Sequence, residues 1–232
     1  MKKNTNQLSL SLGDTKKKKL TWLSHTAIEM INRCPKCYWL KYNKKIYQPQ
    51  GIVSRLANRF DIVLKNYFDG YRTQGILPPM INEKIKGILQ NPFQERYYHK
   101  IDDNYGFYGK LDECIIEDGL YIPIDFKTTS SDPRGKEIME AYQHQIDEYV
   151  YLMDANKKKT TKYGYLIFFF PEFNNEVHNG FPMIMEIVKV TAHPEQVEKR
   201  IQKAIEILKN PLPDSNPECE YCQWLSSVED YY

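Results

Sequence analysis

The chain has 232 residues, of which 41% are hydrophobic, 27% charged and 13% aromatic. This composition can bury a full core, which excludes wholesale disorder and fibrous repeats. No apolar run approaches the roughly 20 residues that cross a bilayer, and the first residues lack the apolar stretch of a secretion signal. We therefore expect a soluble, cytoplasmic protein without a membrane partner, folded as a single domain over residues 21–232.

Residues 1–20 form a basic segment ahead of this domain. The net charge of +2 is unevenly distributed along the chain. Six lysines and one aspartate give this segment a charge of +5, which leaves −3 for the rest of the chain. The segment is also poor in aromatic residues, so we predict a disordered tail. Its charge suits a phosphate backbone, but a solvated leader without a ligand explains the same composition.

The N-terminal third favours helices. Ser24 or Thr26 is a suitable cap for a first helix that ends near Cys34. Apolar residues at helical spacing predict a second helix over residues 52–68, and a short third helix is predicted over residues 81–90.

The middle of the chain changes to strands. Phe107–Ile116 and Leu120–Phe126 are two strand-like runs, and the turn residues Glu117-Asp118-Gly119 between them predict a hairpin. The remaining predicted elements are a helix over 136–153, strands over 163–170 and 181–190, and a helix over 194–209. This order of elements predicts a mixed α/β domain.

The hairpin carries three ionisable residues that alternation brings together. Counting back from the turn places Asp112 within one residue of Asp125, and Lys127 shares the sheet face of Asp125. Two carboxylates with open positions suit Mg²⁺ or Mn²⁺, and a nearby ammonium can orient an attacking water. An ordinary Asp–Lys pair on an exposed hairpin is the alternative interpretation.

These residues stand in the order of a known family. The pattern resembles the PD-(D/E)XK nuclease superfamily, and within it the RecB-like branch. An acidic residue follows a glycine on one strand, a (D/E)-x-K triplet follows on the next, and a helix then carries Q-x-x-x-Y. The matching residues are Gly109 and Asp112, Asp125, Phe126 and Lys127, and Gln145 and Tyr149.

The resemblance implies a fold and a set of roles. The fold is a restriction-endonuclease-like core, in which helices flank a central mixed sheet. Asp112, Asp125 and the main-chain carbonyl of Phe126 would hold Mg²⁺ or Mn²⁺, and Lys127 would position the attacking water. Gln145 and Tyr149, one helical turn apart, would orient a DNA strand.

One position departs from the family pattern. RecB-like members usually place a metal-binding histidine on an early helix, where this chain has Asp61. Its carboxylate would supply the missing ligand, and an exposed helix residue is the alternative. The five histidines are spread along the chain without metal-ligand spacing.

Four of the five cysteines form two C-x-x-C pairs, Cys34 with Cys37 and Cys219 with Cys222. Four thiolates can hold an iron–sulfur cluster or tetrahedral Zn²⁺, and either would clamp the two ends of the domain together. The segments look similar to those of the iron–sulfur nucleases of CRISPR adaptation and AddB type. Those relatives place one cysteine early and three late. The two-plus-two partition of this chain differs from theirs. The resemblance of the segments nevertheless favours a 4Fe–4S cluster, with structural Zn²⁺ and a metal-free site left open.

The sequence thus predicts a metal-dependent DNA nuclease, acting as an exonuclease or on DNA ends in repair, recombination or CRISPR-type processing. Single strands or ends would be the substrate, and a helicase, recombination or CRISPR protein a possible partner. The alternatives are an inactive DNA-binding accessory subunit and a zinc-stapled interaction module. Several of the 18 tyrosines are candidates for contact with a DNA strand: Tyr97, Tyr98, Tyr105 and Tyr108.

Overall fold

The structure is a computed structural model that describes residues 20–49, 53–173, 180, 182–228 and 231. The predicted basic tail lies outside these residues except for its last position, as do residues 174–179 and 181 near the last two strands. The described elements are β1 (Thr21–Ser24), α1 (His25–Arg33), α2 (Pro35–Trp39), α3 (Val53–Arg72), β2 (Ile88–Leu89), β3 (Arg96–Lys100), β4 (Tyr105–Lys110), β5 (Glu113–Glu117), β6 (Leu120–Thr128), α4 (Glu140–Ala155), β7 (Tyr163–Pro171), β8 (Met183–Thr191), α5 (Val197–Lys209) and α6 (Glu220–Val228).

The larger sheet has five strands in the order β2-β5-β6-β7-β8. Strands β5 and β6 form the predicted hairpin, in which Glu113 pairs with Ile124. Strands β6 and β7 run parallel, with Ile124 beside Tyr165, so the chain crosses between them through α4. The expected mixed sheet flanked by helices is confirmed.

Helices cover both faces of this sheet, and the side chains of β7 alternate between them. Phe168 and Phe170 join a core with α1, α4 and α5. Ile167 and Phe169 point the other way and pack with Phe68 of α3. A strand buried on both faces reads as a continuous apolar run, which is why residues 163–170 predict a strand without alternation.

A smaller sheet has three strands in the order β1-β4-β3, with β1 parallel to β4. Its strand β4 shows that the predicted strand Phe107–Ile116 is wrong as a single element. Strand β4 ends at Lys110, β5 begins at Glu113, and the two pair in different sheets. The chain turns between them at Leu111, whose N–H donates to the carbonyl of Glu95 over 2.8 Å.

Two other predictions need correction. The predicted helix over residues 81–90 is wrong: Ile81 and Ile85 are buried at helical spacing, but only single turns form before Gly87 and strand β2. Gly87 has a φ of +109°, which a continuing helix does not permit. The predicted helix over residues 136–153 begins only at Glu140. None of the described helices combines the length and apolar composition needed to cross a bilayer.

Candidate active site and four-cysteine cluster

Asp125 of strand β6 lies at the centre of the candidate active site and is 2% exposed. Its Oδ1 accepts a hydrogen bond of 2.6 Å from Gln145 Nε2 and lies 3.0 Å from the Tyr149 hydroxyl. That hydroxyl also lies 2.9 Å from the carbonyl oxygen of Lys110, so its single proton is shared between two acceptors. Helix α4 therefore holds one oxygen of Asp125 and leaves the other for a different partner.

Lys127 faces the same site as Asp125, as the alternation of β6 predicts. Its Nζ lies 2.7 Å from Asp125 Oδ2 and donates to Gln145 Oε1 over 2.5 Å. The ammonium also lies 4.6 Å from the centre of the Tyr142 ring, a cation–π contact. The D-x-K triplet and the Q-x-x-x-Y helix thus form one hydrogen-bonded group.

Asp112 lies in the segment that joins the two sheets. Its Oδ2 accepts the N–H of Phe126 over 3.0 Å, which confirms that it lies within one residue of Asp125 across the hairpin. Burial raises the pKa of Asp112 to about 7, and the charges of Asp125 and Asp61 act in the same direction. The site therefore holds a carboxyl group that is close to its ionisation midpoint at neutral pH.

Asp61 of helix α3 is linked to the site by an ion pair with Lys65, a residue that the sequence analysis missed. Lys65 Nζ lies 3.1 Å from Asp61 Oδ2 and 3.6 Å from Asp112 Oδ1. It also lies 3.6 Å from Glu95 Oε1 on the loop before β3. Burial alone would lower the pKa of Lys65, but the carboxylates of Asp112 and Asp61 raise it. The spacing of Asp61 and Lys65, four residues apart on a helix, is the signal that could have identified this pair.

The oxygens of these carboxylates fit a divalent cation. Asp61 Oδ1 is buried and has no hydrogen-bond partner among the described residues. Asp125 Oδ2 is equally buried, and its close contact is the ion pair with Lys127 rather than a directed hydrogen bond. Buried carboxylate oxygens without donors are costly unless a cation or proton compensates them, and hard oxygen ligands suit Mg²⁺ and Mn²⁺.

The histidines of the described region lie elsewhere. His25 contacts Glu148 over 2.9 Å and His144 contacts Glu29 over 2.8 Å, both beside α1. His99 packs edge-on against the ring of Tyr151. Within the described part of the chain, the candidate active site therefore consists of carboxylates, lysines and amide groups.

The four cysteines of the two C-x-x-C pairs converge where α2 meets α6. Their sulfurs all lie within 4.8 Å of one another. The separation is 3.8 Å for Cys34 and Cys222, 3.8 Å for Cys37 and Cys219, and 3.7 Å for Cys37 and Cys222. The cluster is a candidate metal site, and it joins two segments far apart in the sequence.

The local surroundings lower the pKa of one of these thiols. Burial alone would raise the pKa of Cys34, but the peptide N–H groups of Cys37 and Asn216 lower it to about 7. Burial and the neighbouring thiol of Cys222 raise the pKa of Cys37. Several thiols packed together resist ionisation without a cation, so this chemistry also fits a bound metal.

Comparison with known proteins places this geometry in a family. The model of the PD-(D/E)XK nuclease superfamily matches residues 72–227, more than half of the chain. Among solved structures, the crystal structure of SSO0001 matches with a TM-score of 0.53 and 17% identity, over 93% of this chain and 89% of that one. No curated protein sequence matches the chain. The chain therefore belongs to the PD-(D/E)XK nuclease superfamily, a group of metal-dependent nucleases.

Proposed function

We propose that the protein is a deoxyribonuclease that depends on Mg²⁺ or Mn²⁺ and hydrolyses phosphodiester bonds as an exonuclease or at DNA ends. The observation that carries this proposal is the convergence of Asp112, Asp125 and Lys127, with the ammonium 2.7 Å from Asp125 Oδ2. A buried oxygen of Asp61 that accepts no hydrogen bond from the described residues adds to it. The order of the three motifs supports a place in the RecB-like branch. We also propose that the protein acts together with a helicase, recombination or CRISPR-type protein.

The carboxylates of Asp61, Asp112 and Asp125, with the main-chain carbonyl of Phe126, would hold the cation. When bound, the cation supplies Lewis acidity, which lowers the pKa of coordinated water and offsets charge on the phosphate. Lys127 lies 2.7 Å from Oδ2 of Asp125, one of the carboxylates that would hold the cation, so its ammonium could orient the attacking water and stabilise developing negative charge.

For Gln145 and Tyr149 we infer a role other than the strand contact that the resemblance implies. Tyr149 is only 3% exposed, and burial raises the pKa of its phenol well above the usual value. The hydroxyl contacts Lys110 and Asp125 inside the protein rather than solvent. We therefore propose that both residues position the carboxylate of Asp125, which keeps its second oxygen directed at the metal site.

The direct test is cleavage of end-labelled single- and double-stranded DNA with Mg²⁺, Mn²⁺ or a chelator. Asp125→Asn and Lys127→Ala should each reduce the rate by about 1,000-fold while the circular dichroism spectrum is unchanged. Asp154→Asn is a matched control, because this helix α4 carboxylate pairs with Lys162 and Thr160 instead. Cleavage that persists in both variants would refute the assignment of Asp125 and Lys127 to the active site.

Lys65 supports the alternative of a non-cleaving accessory subunit. Its ammonium already lies between Asp61 and Asp112, where it can compensate their charge in place of a metal ion. Calorimetric titration with Mn²⁺ separates the two functions. A folded protein that binds DNA but takes up no Mn²⁺ in an Asp112-dependent manner would be the accessory subunit.

For the four-cysteine cluster we propose a single structural Zn²⁺ rather than the 4Fe–4S cluster that the resemblance favours. Four thiolates about 2.3 Å from one tetrahedral ion lie about 3.8 Å apart. Three of the six sulfur pairs are 3.7–3.8 Å apart, and all six lie within 4.8 Å. An iron–sulfur cluster binds each thiolate through a different iron atom, which spreads the sulfurs further apart.

Metal analysis of the purified protein tests this assignment. One zinc per chain and no visible absorption support it, whereas brown protein with several irons per chain contradicts it. The reduced thiolates that either metal needs are best maintained in the cytoplasm, where we place the protein.

A further inference from the structure

The smaller sheet has one face packed on α4 and one face open to solvent. On the packed side, Tyr97 and Phe107 are fully buried. A Cβ atom built on Gly109 would lie 2.7 Å from the side chain of Leu152, so α4 approaches the backbone closely there. Because side chains alternate along a strand, the neighbours of these residues point outward.

The residues on the open side are mainly aromatic or basic. The strand registers place them on one face: Trp22 and Ser24 of β1, Gly106, Tyr108 and Lys110 of β4, and Arg96, Tyr98 and Lys100 of β3. We call this set the aromatic–cationic face. Of the four tyrosines that the sequence suggested for strand contact, Tyr98 and Tyr108 lie on this face, whereas Tyr97 and Tyr105 lie on the packed side. The sequence analysis missed Trp22.

The three rings of this face form one connected surface. Tyr98 and Tyr108 stack with centroids 5.8 Å apart and planes at 19°. Trp22 meets Tyr98 edge-on, with centroids 5.2 Å apart. Gly106 makes this possible, because a Cβ atom there would lie 2.4 Å from the indole ring. Tyr98 is 47% exposed, so the surface offers a ring that a base can stack on.

Cations surround the rings. The side chains of Arg96, Lys100 and Lys110 are 56%, 57% and 44% exposed. Among the described residues no carboxylate points from this face. The acids that pair with the three cations, Glu95 and Asp103, lie on the loops at the two ends of β3. Exposed cations around stacking rings match a polymer of phosphates and unpaired bases.

The aromatic–cationic face leads directly into the candidate active site. The carbonyl oxygen of Lys110 lies 2.9 Å from the hydroxyl of Tyr149, which also contacts Asp125. Lys110 Nζ pairs with Glu95 over 3.1 Å, and the same carboxylate lies 3.6 Å from Lys65 in the site. The Lys110 end of the face therefore adjoins the carboxylates of the candidate active site.

We propose that the aromatic–cationic face binds single-stranded DNA next to the bond that is cut, with bases on Tyr98, Tyr108 and Trp22 and phosphates at the cations. This inference rests on the proposed nuclease function for its choice of DNA. Stacking on such rings requires unpaired bases, so a duplex should make only the phosphate contacts. The face is thus a site for a single strand that flanks the reaction centre.

The test is fluorescence anisotropy of a labelled thymidine oligonucleotide with the full-length protein, in a buffer free of Mg²⁺ and Mn²⁺. Tyr98→Ala should weaken binding about tenfold or more, as expected for the loss of one stacked base. Tyr47→Ala is the matched control, because this tyrosine is 65% exposed and lies outside the face. Equal losses in the two variants, or no loss in Tyr98→Ala, would overturn the proposal.

Two further measurements separate stacking from charge. Lys100→Gln should reduce the slope of log affinity against log salt by about 0.7, whereas Lys199→Gln on α5 should leave it unchanged. The fluorescence of Trp22 should be quenched by the oligonucleotide, and Trp22→Phe should remove this quenching. A loss in Tyr98→Ala that is as large for duplex DNA as for the single strand would refute stacking. Tighter binding of an RNA oligonucleotide than of DNA would refute the choice of ligand.

The outcome can be told apart from failure of the nuclease proposal. Asp125→Asn, which removes cleavage, should retain the affinity for the oligonucleotide. In the active protein Tyr98→Ala should raise KM for long single strands and leave kcat unchanged. If the wild-type protein binds the oligonucleotide through Tyr98 but cuts nothing, the binding face stands and the nuclease proposal fails.

Discussion

Replacing Asp112 by asparagine should make the metal-free protein less sensitive to alkaline pH. Burial, together with the charges of Asp125 and Asp61, raises the pKa of Asp112 from 3.8 to about 7. A raised carboxyl pKa means that the folded state binds the proton more tightly than the unfolded state. The stabilising contribution is therefore complete below pH 3.8 and is lost as the pH rises through about 7.

The size of the effect follows from this shift. Moving a pKa from 3.8 to about 7 corresponds to a cost of at most about 4 kcal/mol for ionised Asp112 above pH 7. Roughly 2.5 kcal/mol of this loss falls between pH 5 and pH 8. The side chain is 20% exposed, so solvent screens the charge only in part. Asparagine cannot ionise, and its carbonyl oxygen can still accept the N–H of Phe126.

Urea unfolding at pH 5, 6.5 and 8, in buffer freed of Mg²⁺ and Mn²⁺, measures the prediction. The free energy of unfolding of Asp112→Asn relative to wild type should rise by about 2.5 kcal/mol between pH 5 and pH 8. Adding Mn²⁺ at pH 8 should stabilise the wild type and leave the variant unchanged. A difference between the two proteins that is the same at pH 5 and pH 8 would refute the reasoning. Asp154→Asn serves as the control, because this half-buried carboxylate pairs with Lys162 away from the site.

Three further substitutions probe the surroundings of the site and the cysteine cluster. Tyr149→Phe removes the hydrogen bond from the phenol to Asp125, so the free energy of unfolding should fall by about 1 kcal/mol. In steady-state assays kcat should fall about tenfold while KM stays constant. Lys65→Met removes an ammonium that competes with a metal ion, and calorimetry should show several-fold tighter Mn²⁺ binding; unchanged or weaker binding would contradict this. Cys219→Ser should remove the bound metal and lower the thermal midpoint, whereas Cys114→Ala, at a buried cysteine outside the cluster, should keep the metal content of the wild type.

The centre of the candidate site was predictable because it depends on short-range geometry. Alternation along β6 places Asp125 and Lys127 on one face, and a tight turn at Asp118 and Gly119 determines the register of the hairpin. The register then brings Asp112 beside Phe126 without any long-range information. The two C-x-x-C pairs likewise predicted their own convergence, because four cysteine sulfurs are a typical ligand set for one metal site.

The residues around the site are positioned by strand pairing between distant segments, which the local sequence pattern does not predict. Strand β3 reads Arg-Tyr-Tyr-His-Lys, a polar run that becomes a strand only because β4 pairs with it. Nothing local marks Leu111 as the point where the chain passes from one sheet to the other. Glu95 meets Lys65 at 3.6 Å from a separate element, so Glu95 could not be assigned to the site from its neighbours in sequence.

The charges of the metal-free site balance only when one carboxyl holds a proton. The carboxylates of Asp61, Asp112 and Asp125 face the ammonium groups of Lys65 and Lys127, so protonated Asp112 leaves two negative and two positive charges. Burial already disfavours the ionised carboxylate of Asp112, and ionisation would add an unbalanced negative charge beside Asp125 and Asp61, so the pKa of Asp112 rises to about 7. A proton and a divalent cation therefore compete for the same oxygens, so Mn²⁺ binding should release a proton and tighten as the pH rises through 7. Calorimetry in buffers of different ionisation enthalpy measures that proton, and binding without proton release would show that Asp112 is not a ligand.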